Sequence, residues 1–127
     1  DTVTTMDGLR YIDRLPGKGK LIQKGMQVKV DYAGYLMSGK LFDTSIEAVG
    51  TEHGFDRGGY PFEPFSFTAG RGEVIQGWDI GLTTNMRVGG RRRLIVPPGL
   101  GYGQYGSPPT IPPNATLVFD VEVLEAR

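Results

Sequence analysis

One stretch, Glu73-Val74-Ile75-Gln76-Gly77-Trp78-Asp79-Ile80-Gly81-Leu82, carries a helical period in a chain otherwise written as short alternating strands and turns. Val74, Ile75, Trp78 and Leu82 stand at i, i+1, i+4 and i+8, which puts them on one helical face. The glycines at 77 and 81 each cost about 1 kcal/mol against alanine, so tertiary packing rather than propensity must hold this helix. Such a helix needs a sheet to lie on. Trp78, the only tryptophan, is then either the main core plug or the floor of a pocket.

Period-two segments supply the sheet. Residues 1–8 read as an extended polar arm and Leu9 to Asp13 as a first strand, closed by Pro16-Gly17-Lys18-Gly19. From Met26 to Met37, Val28, Val30 and Tyr32 share one face, and Gly34 signals a bulge or bend. Leu41 and Phe42 resume the sheet after Ser38-Gly39-Lys40, and Phe65 to Phe67 form a short strand. Arg91 to Val96 begins charged and ends apolar, so Arg91-Arg92-Arg93 reads as a solvated strand end. Over Thr116 to Leu124, Leu117, Phe119, Val121 and Val123 alternate with Val118, Asp120 and Glu122. Five or six antiparallel strands and one short helix make an α+β arrangement, in which a strongly twisted sheet can wrap the helix and leave an open end.

Residues 46–63 break this pattern. Gly50, Gly54, Gly58, Gly59 and Pro61 interrupt any period, so the segment reads as a surface insertion with one helical turn near Ile46 to Val49. The division expected is an arm and first strand over 1–23, then 24–127 carrying the insertion, within a single structural domain.

Composition narrows the function. Lysine plus arginine equals aspartate plus glutamate, 14 each, so no charge excess argues for nucleic acid or an anionic membrane. There is no cysteine, hence no thiolate chemistry, and the only histidine, His53, lies in the glycine-rich insertion. A histidine-based catalytic pair would have to rest on that one residue, and a multi-histidine metal site is excluded. No apolar run approaches the roughly 18 residues of a membrane span. Gly70-Arg71-Gly72 and Gly101-Tyr102-Gly103 lack the context of a phosphate loop and read as turns. A start at Asp1 rather than methionine leaves two locations open: secreted or periplasmic after removal of an upstream segment, otherwise cytoplasmic.

What remains is a surplus of aromatic and aliphatic side chains at strand ends and loops, with Asp43 directly after Phe42. Val30-Asp31-Tyr32-Ala33-Gly34, Phe42-Asp43-Thr44-Ser45, Pro64-Phe65-Ser66-Phe67, Glu73-Val74-Ile75-Gln76-Gly77-Trp78, Tyr102-Gly103 and the run from Ile111 to Glu122 follow one another along the chain. Together they resemble the FKBP-type peptidyl-prolyl cis-trans isomerases, in the order of that family's motifs and over roughly residues 24–125. The resemblance implies a half-open antiparallel barrel wrapped on one short helix. It also implies a pocket of Tyr32, Phe42, Asp43, Phe65, Val74, Ile75, Trp78, Tyr102, Ile111 and Phe119, with Trp78 as floor.

Among these, Tyr32, Asp43, Ile75, Tyr102 and Phe119 are expected to act on the twisting bond. Phe42, Phe65, Val74, Trp78 and Ile111 are expected to hold substrate or inhibitor. The backbone N–H of Ile75 and the hydroxyl of Tyr102 are the implied donors to ligand carbonyls, and Tyr32 is the implied partner of Asp43. Glu73 is expected at the helix start, where a carboxylate suits the dipole. The expected partners are proline-containing segments of protein chains and macrolide inhibitors of the tacrolimus and rapamycin type, with no cofactor, no metal and a monomeric state. Two features depart from the family pattern. Ser107 stands where histidine is frequent and Thr110 replaces a common aliphatic, giving a more polar rim. The family's short connection after Asp43 is expanded into residues 46–63, where no arginine aligns with the one that often pairs with the pocket aspartate and Arg57 is only a candidate. The rival reading is a chaperone or adaptor that uses the same pocket with little turnover.

Overall fold

A computed structural model describes residues 1–127. The strands are β1 (Thr2–Thr4), β2 (Arg10–Leu15), β3 (Gln27–Leu36), β4 (Leu41–Thr44), β5 (Phe65–Thr68), β6 (Arg91–Val96) and β7 (Leu117–Ala126); the helices are α1 (Glu47–Glu52) and α2 (Gln76–Gly81). All seven strands join one antiparallel sheet in the order β1-β2-β6-β7-β3-β4, with β5 on β3. The expected architecture is present. The strand count rises to seven because Thr2–Thr4, inside the expected arm, pairs with β2.

β3 and β7 form the spine, paired along their length from Val28 opposite Ala126 to Leu36 opposite Leu117. Their alternation decides the core: Val28, Val30, Leu117, Phe119, Val121 and Val123 are buried while Val118, Asp120 and Glu122 are not. The bend expected at Gly34 is a register shift against β4 between Gly34 and Tyr35. No helix is long and apolar enough to cross a membrane.

The helix α2 is shorter than the 73–82 stretch. Ile75 precedes its first turn in an extended conformation, and Glu73 to Ile75 approach it as irregular chain. Its two glycines have a packing reason. A Cβ on Gly77 would lie 2.7 Å from the Val96 side chain, and one on Gly81 would lie 2.6 Å from that of Leu94. Close approach to β6 therefore requires glycine, and the buried contact offsets the propensity cost.

Below α2 lies the one buried arginine. The reading of Arg91-Arg92-Arg93 as a solvated strand end holds for Arg91 only, which is exposed. Arg92 is 2% exposed, and Arg93 is half-buried in a two-pronged pair with Asp120 at 2.8 and 3.0 Å. The strand period explains it: Leu94 and Val96 point inward, so Arg92 must as well.

Candidate functional site

Tyr32 stands at the open end of the barrel with its backbone fixed on both sides. Its backbone N–H donates to Ser45 Oγ at 2.8 Å, and its carbonyl accepts from Ser45 N–H at 3.0 Å and Thr44 Oγ1 at 2.7 Å. Ser45 Oγ in turn donates to Asp31 at 2.8 Å. The end of β4 thus clamps β3 where Tyr32 leaves it. From there the Tyr32 hydroxyl donates to Asp43 Oδ2 at 2.5 Å. Burial first, and the hydrogen bond to Asp43 second, push the Tyr32 phenol well above its ordinary value, so it stays a donor at any physiological pH.

Asp43 is held from three sides. Its other oxygen accepts from Thr44 N–H at 2.9 Å and from Arg57 at 3.1 Å, and the same Arg57 nitrogen reaches Thr44 O at 2.7 Å. The arginine comes from the insertion, so the segment without a readable period sends back the counter-charge of the pocket aspartate. Phe62 lies 5.9 Å from the Arg57 guanidinium carbon and backs it. His53 sits away from this group, with its ring against Tyr35 at 5.7 Å.

A cavity of about 260 Å³ opens beside Asp43. Ten residues line it: Tyr32, Phe42, Asp43, Phe65, Glu73, Val74, Ile75, Trp78, Tyr102 and Phe119. Trp78 is both of the things a lone tryptophan could be, since it is 4% exposed within the core cluster and also lines the cavity. Aromatic rings meet it edge-on: Tyr32 at 5.3 Å, Phe119 at 5.4 Å and Phe65 at 6.3 Å. Its indole Nε1 is buried without an acceptor.

Two donors are free. The Ile75 N–H precedes the first turn of α2 and finds no acceptor in the chain. Tyr102 stands on the loop after β6, fastened by Gly103 N–H to Pro98 O at 2.8 Å, and its hydroxyl makes no hydrogen bond within the protein. Burial, and then the charge of Asp43, raise its pKa, so it too remains protonated.

Nine of the ten residues expected at the pocket thus come together. Ile111 does not. It is 4% exposed, packs into the core and bridges Ser107 through paired backbone bonds of 2.8 and 2.9 Å, outside the cavity wall. Glu73 was missed. Instead of heading the helix, it stands three residues before it and accepts the Thr68 N–H at 3.0 Å, which places it on the wall. Its position directly before Val74 was the available signal.

A family model described as FKBP-type peptidyl-prolyl cis-trans isomerase matches residues 18–124. The chain belongs to this family. FK506-binding protein 4 of Dictyostelium discoideum is 46% identical over 122 residues, which is 96% of this chain and 29% of that protein. The 39 kDa FK506-binding nuclear protein of Drosophila melanogaster is 40% identical over 97% of this chain and 30% of its own length. The chain therefore spans under a third of these relatives. Two crystal structures share the fold: FkpA from Escherichia coli (40% identity, TM-score 0.79, 99% of this chain and 51% of that one) and AtFKBP13 (33% identity, TM-score 0.83, all of this chain and 99% of that one).

Proposed function

We propose that the protein is a peptidyl-prolyl cis-trans isomerase that works on X-Pro bonds of protein chains in the cavity over Trp78. The observation that carries this reading is a mostly apolar cavity, aromatic on most sides, with two unused donors and no serine, cysteine or lysine on its wall, where one of the two carboxylates, Asp43, is fastened by Tyr32 and Arg57. Twisting an X-Pro amide loses resonance over a barrier of roughly 18 to 20 kcal/mol and breaks no bond. At about 19 kcal/mol the uncatalysed rate is on the order of 0.1 per second, so reaching about 1000 per second needs roughly 5 to 6 kcal/mol.

The residues can supply that in three ways. The planar amide is the more polar and better hydrated form, so an apolar wall of Phe42, Phe65, Val74, Trp78 and Phe119 favours the twisted state relative to water. The Ile75 N–H and Tyr102 hydroxyl hold substrate carbonyls and fix the segment on either side of the rotating bond. Asp43, kept in place by Tyr32 and Arg57, presents its charge to the carbonyl whose polarity changes as the bond twists. The same surfaces suit macrolides of the tacrolimus and rapamycin type, whose proline-like ring would rest on Trp78. Quenching or shift of the single-tryptophan emission on titration, with loss of isomerase activity, is the expected result.

One observation favours the rival. Phe65 and Tyr102 are each 41% exposed and Tyr60 is 74% exposed, as on a surface that holds unfolded chains. The deciding experiment follows proline-limited refolding beside suppression of aggregation at equal concentration. Acceleration of refolding is expected, and holding without acceleration would make the pocket a binding module.

A further inference from the structure

Charge is unevenly distributed in this neutral chain. Residues 43–79 hold seven carboxylates against two arginines, and the rest of the chain holds seven carboxylates against twelve lysines and arginines. That acidic stretch supplies the insertion, β5 and the wall leading into α2. A single-signed field beside a cleft raises the local concentration of oppositely charged ligands and their rate of arrival.

The cavity repeats the bias at close range. Its only charged wall residues are Asp43 and Glu73, with no cation among them. Arg57 at 3.1 Å answers the charge of Asp43. Glu73 is exposed and has no ion-pair partner; its single hydrogen bond, from the Thr68 N–H, uses one carboxylate oxygen and leaves the other open. A negative charge that is positioned but not neutralised thus lies on the wall of a site that is otherwise apolar.

We infer that the site selects proline segments with a lysine or arginine within two residues of the proline, and that Glu73 is the specificity-determining carboxylate. This rests on the isomerase reading and adds the substrate class to it. Lysine and arginine suit the place because their stems can lie along apolar wall while the charged head stays in water beside Glu73. The contact forms equally in ground and transition states, so it acts on KM rather than kcat.

The test compares short proline peptides that carry lysine or acetyl-lysine at each flanking position, isosteres that differ in charge. At low ionic strength kcat/KM for the lysine peptide is expected to exceed that for the acetylated one by about threefold to tenfold at one position or more. The difference should lie in KM and shrink towards unity near 1 M salt, where the screening length falls to about 3 Å. Glu73→Gln keeps an oxygen for the Thr68 N–H and should bring the ratio close to one. A ratio of one in the unaltered protein, or a ratio that survives Glu73→Gln, overturns the inference. Peptide binding followed by Trp78 emission separates the two readings. Should no peptide be turned over, tighter binding of the lysine form still supports Glu73 while the isomerase reading falls, and equal binding of both forms removes the inference as well.

Discussion

Asp43 and Arg92 are both charged groups pulled out of bulk water, and the protein treats them in opposite ways. Arg92 has 1% of its side chain exposed and spends all five of its N–H donors: on Asp13 at 2.7 and 3.4 Å, and on the carbonyls of Gly81, Thr84 and Asn85 at 2.8, 2.6 and 3.0 Å. Tyr11 covers its face at 4.0 Å. Asp43 is 38% exposed and keeps part of its surface on the cavity. A saturated charge has nothing left to offer a ligand and serves the fold, here by tying the end of α2 to β2. A charge that is tethered but not enclosed can meet a substrate. The partners left over, more than burial itself, separate structure from chemistry.

The largest effect expected from this contrast is on Arg92. Arg92→Leu leaves three carbonyls near the end of α2 without their donor and should cost on the order of 3 to 5 kcal/mol in chemical denaturation. Arg92→Lys keeps the charge but not the planar fork, so it should recover only part of that. A loss below about 1 kcal/mol for Arg92→Leu would break the comparison, because the network would then be ornament to the fold rather than its fastening.

Asp43→Leu should show the reverse profile. Activity is expected to fall by one to two decades, about 1.4 to 2.7 kcal/mol of transition-state stabilisation. Stability should change by no more than about 1 kcal/mol, since the lost pair with Arg57 is partly exposed. Full turnover in this variant, or a loss that merely tracks unfolding, would put Asp43 in the same class as Arg92.

Why the strands and most of the pocket were legible beforehand follows from the same physics. In β7, Leu117 to Val123 must alternate because one face is core and the other is wet, and that rule is written locally. Arg92 obeyed the rule too, but its charge hid it: counting back by two from Val96 and Leu94 places it inside. The insertion was harder to read, because what orders it is remote. Phe62 lies against Gly50, where a Cβ would come within 2.7 Å of the ring, and Arg57 reaches fourteen residues back to Asp43. Neither contact has a period. The pocket residues were legible through the family resemblance rather than through spacing, and Ile111 shows the limit of that route: its motif is in place while its side chain serves the core.

The smallest effect expected is on Tyr32, which stands between the two cases. Its hydroxyl has a partner in Asp43, yet its ring is part of the cavity wall. Tyr32→Phe keeps the ring and removes one of the bonds that orient Asp43, so the activity loss should be smaller than for Asp43→Leu, about 0.5 to 1.5 kcal/mol. Turnover should be flat between about pH 6 and 9 in the unaltered protein, since burial and Asp43 hold both Tyr32 and Tyr102 protonated there. Stability should differ in alkali. The Tyr32 phenol is raised in the fold, whereas in the unfolded chain it ionises near its ordinary value of 10.0. Its contribution is therefore complete below that pH and is lost as pH rises through the folded value, because the unfolded chain releases its proton first. Denaturation midpoints followed upward from pH 9 should fall in the unaltered protein and fall less steeply in Tyr32→Phe. Equal slopes would mean that the phenol is not held protonated by the site, and the carboxylate it faces would then need another explanation for its orientation.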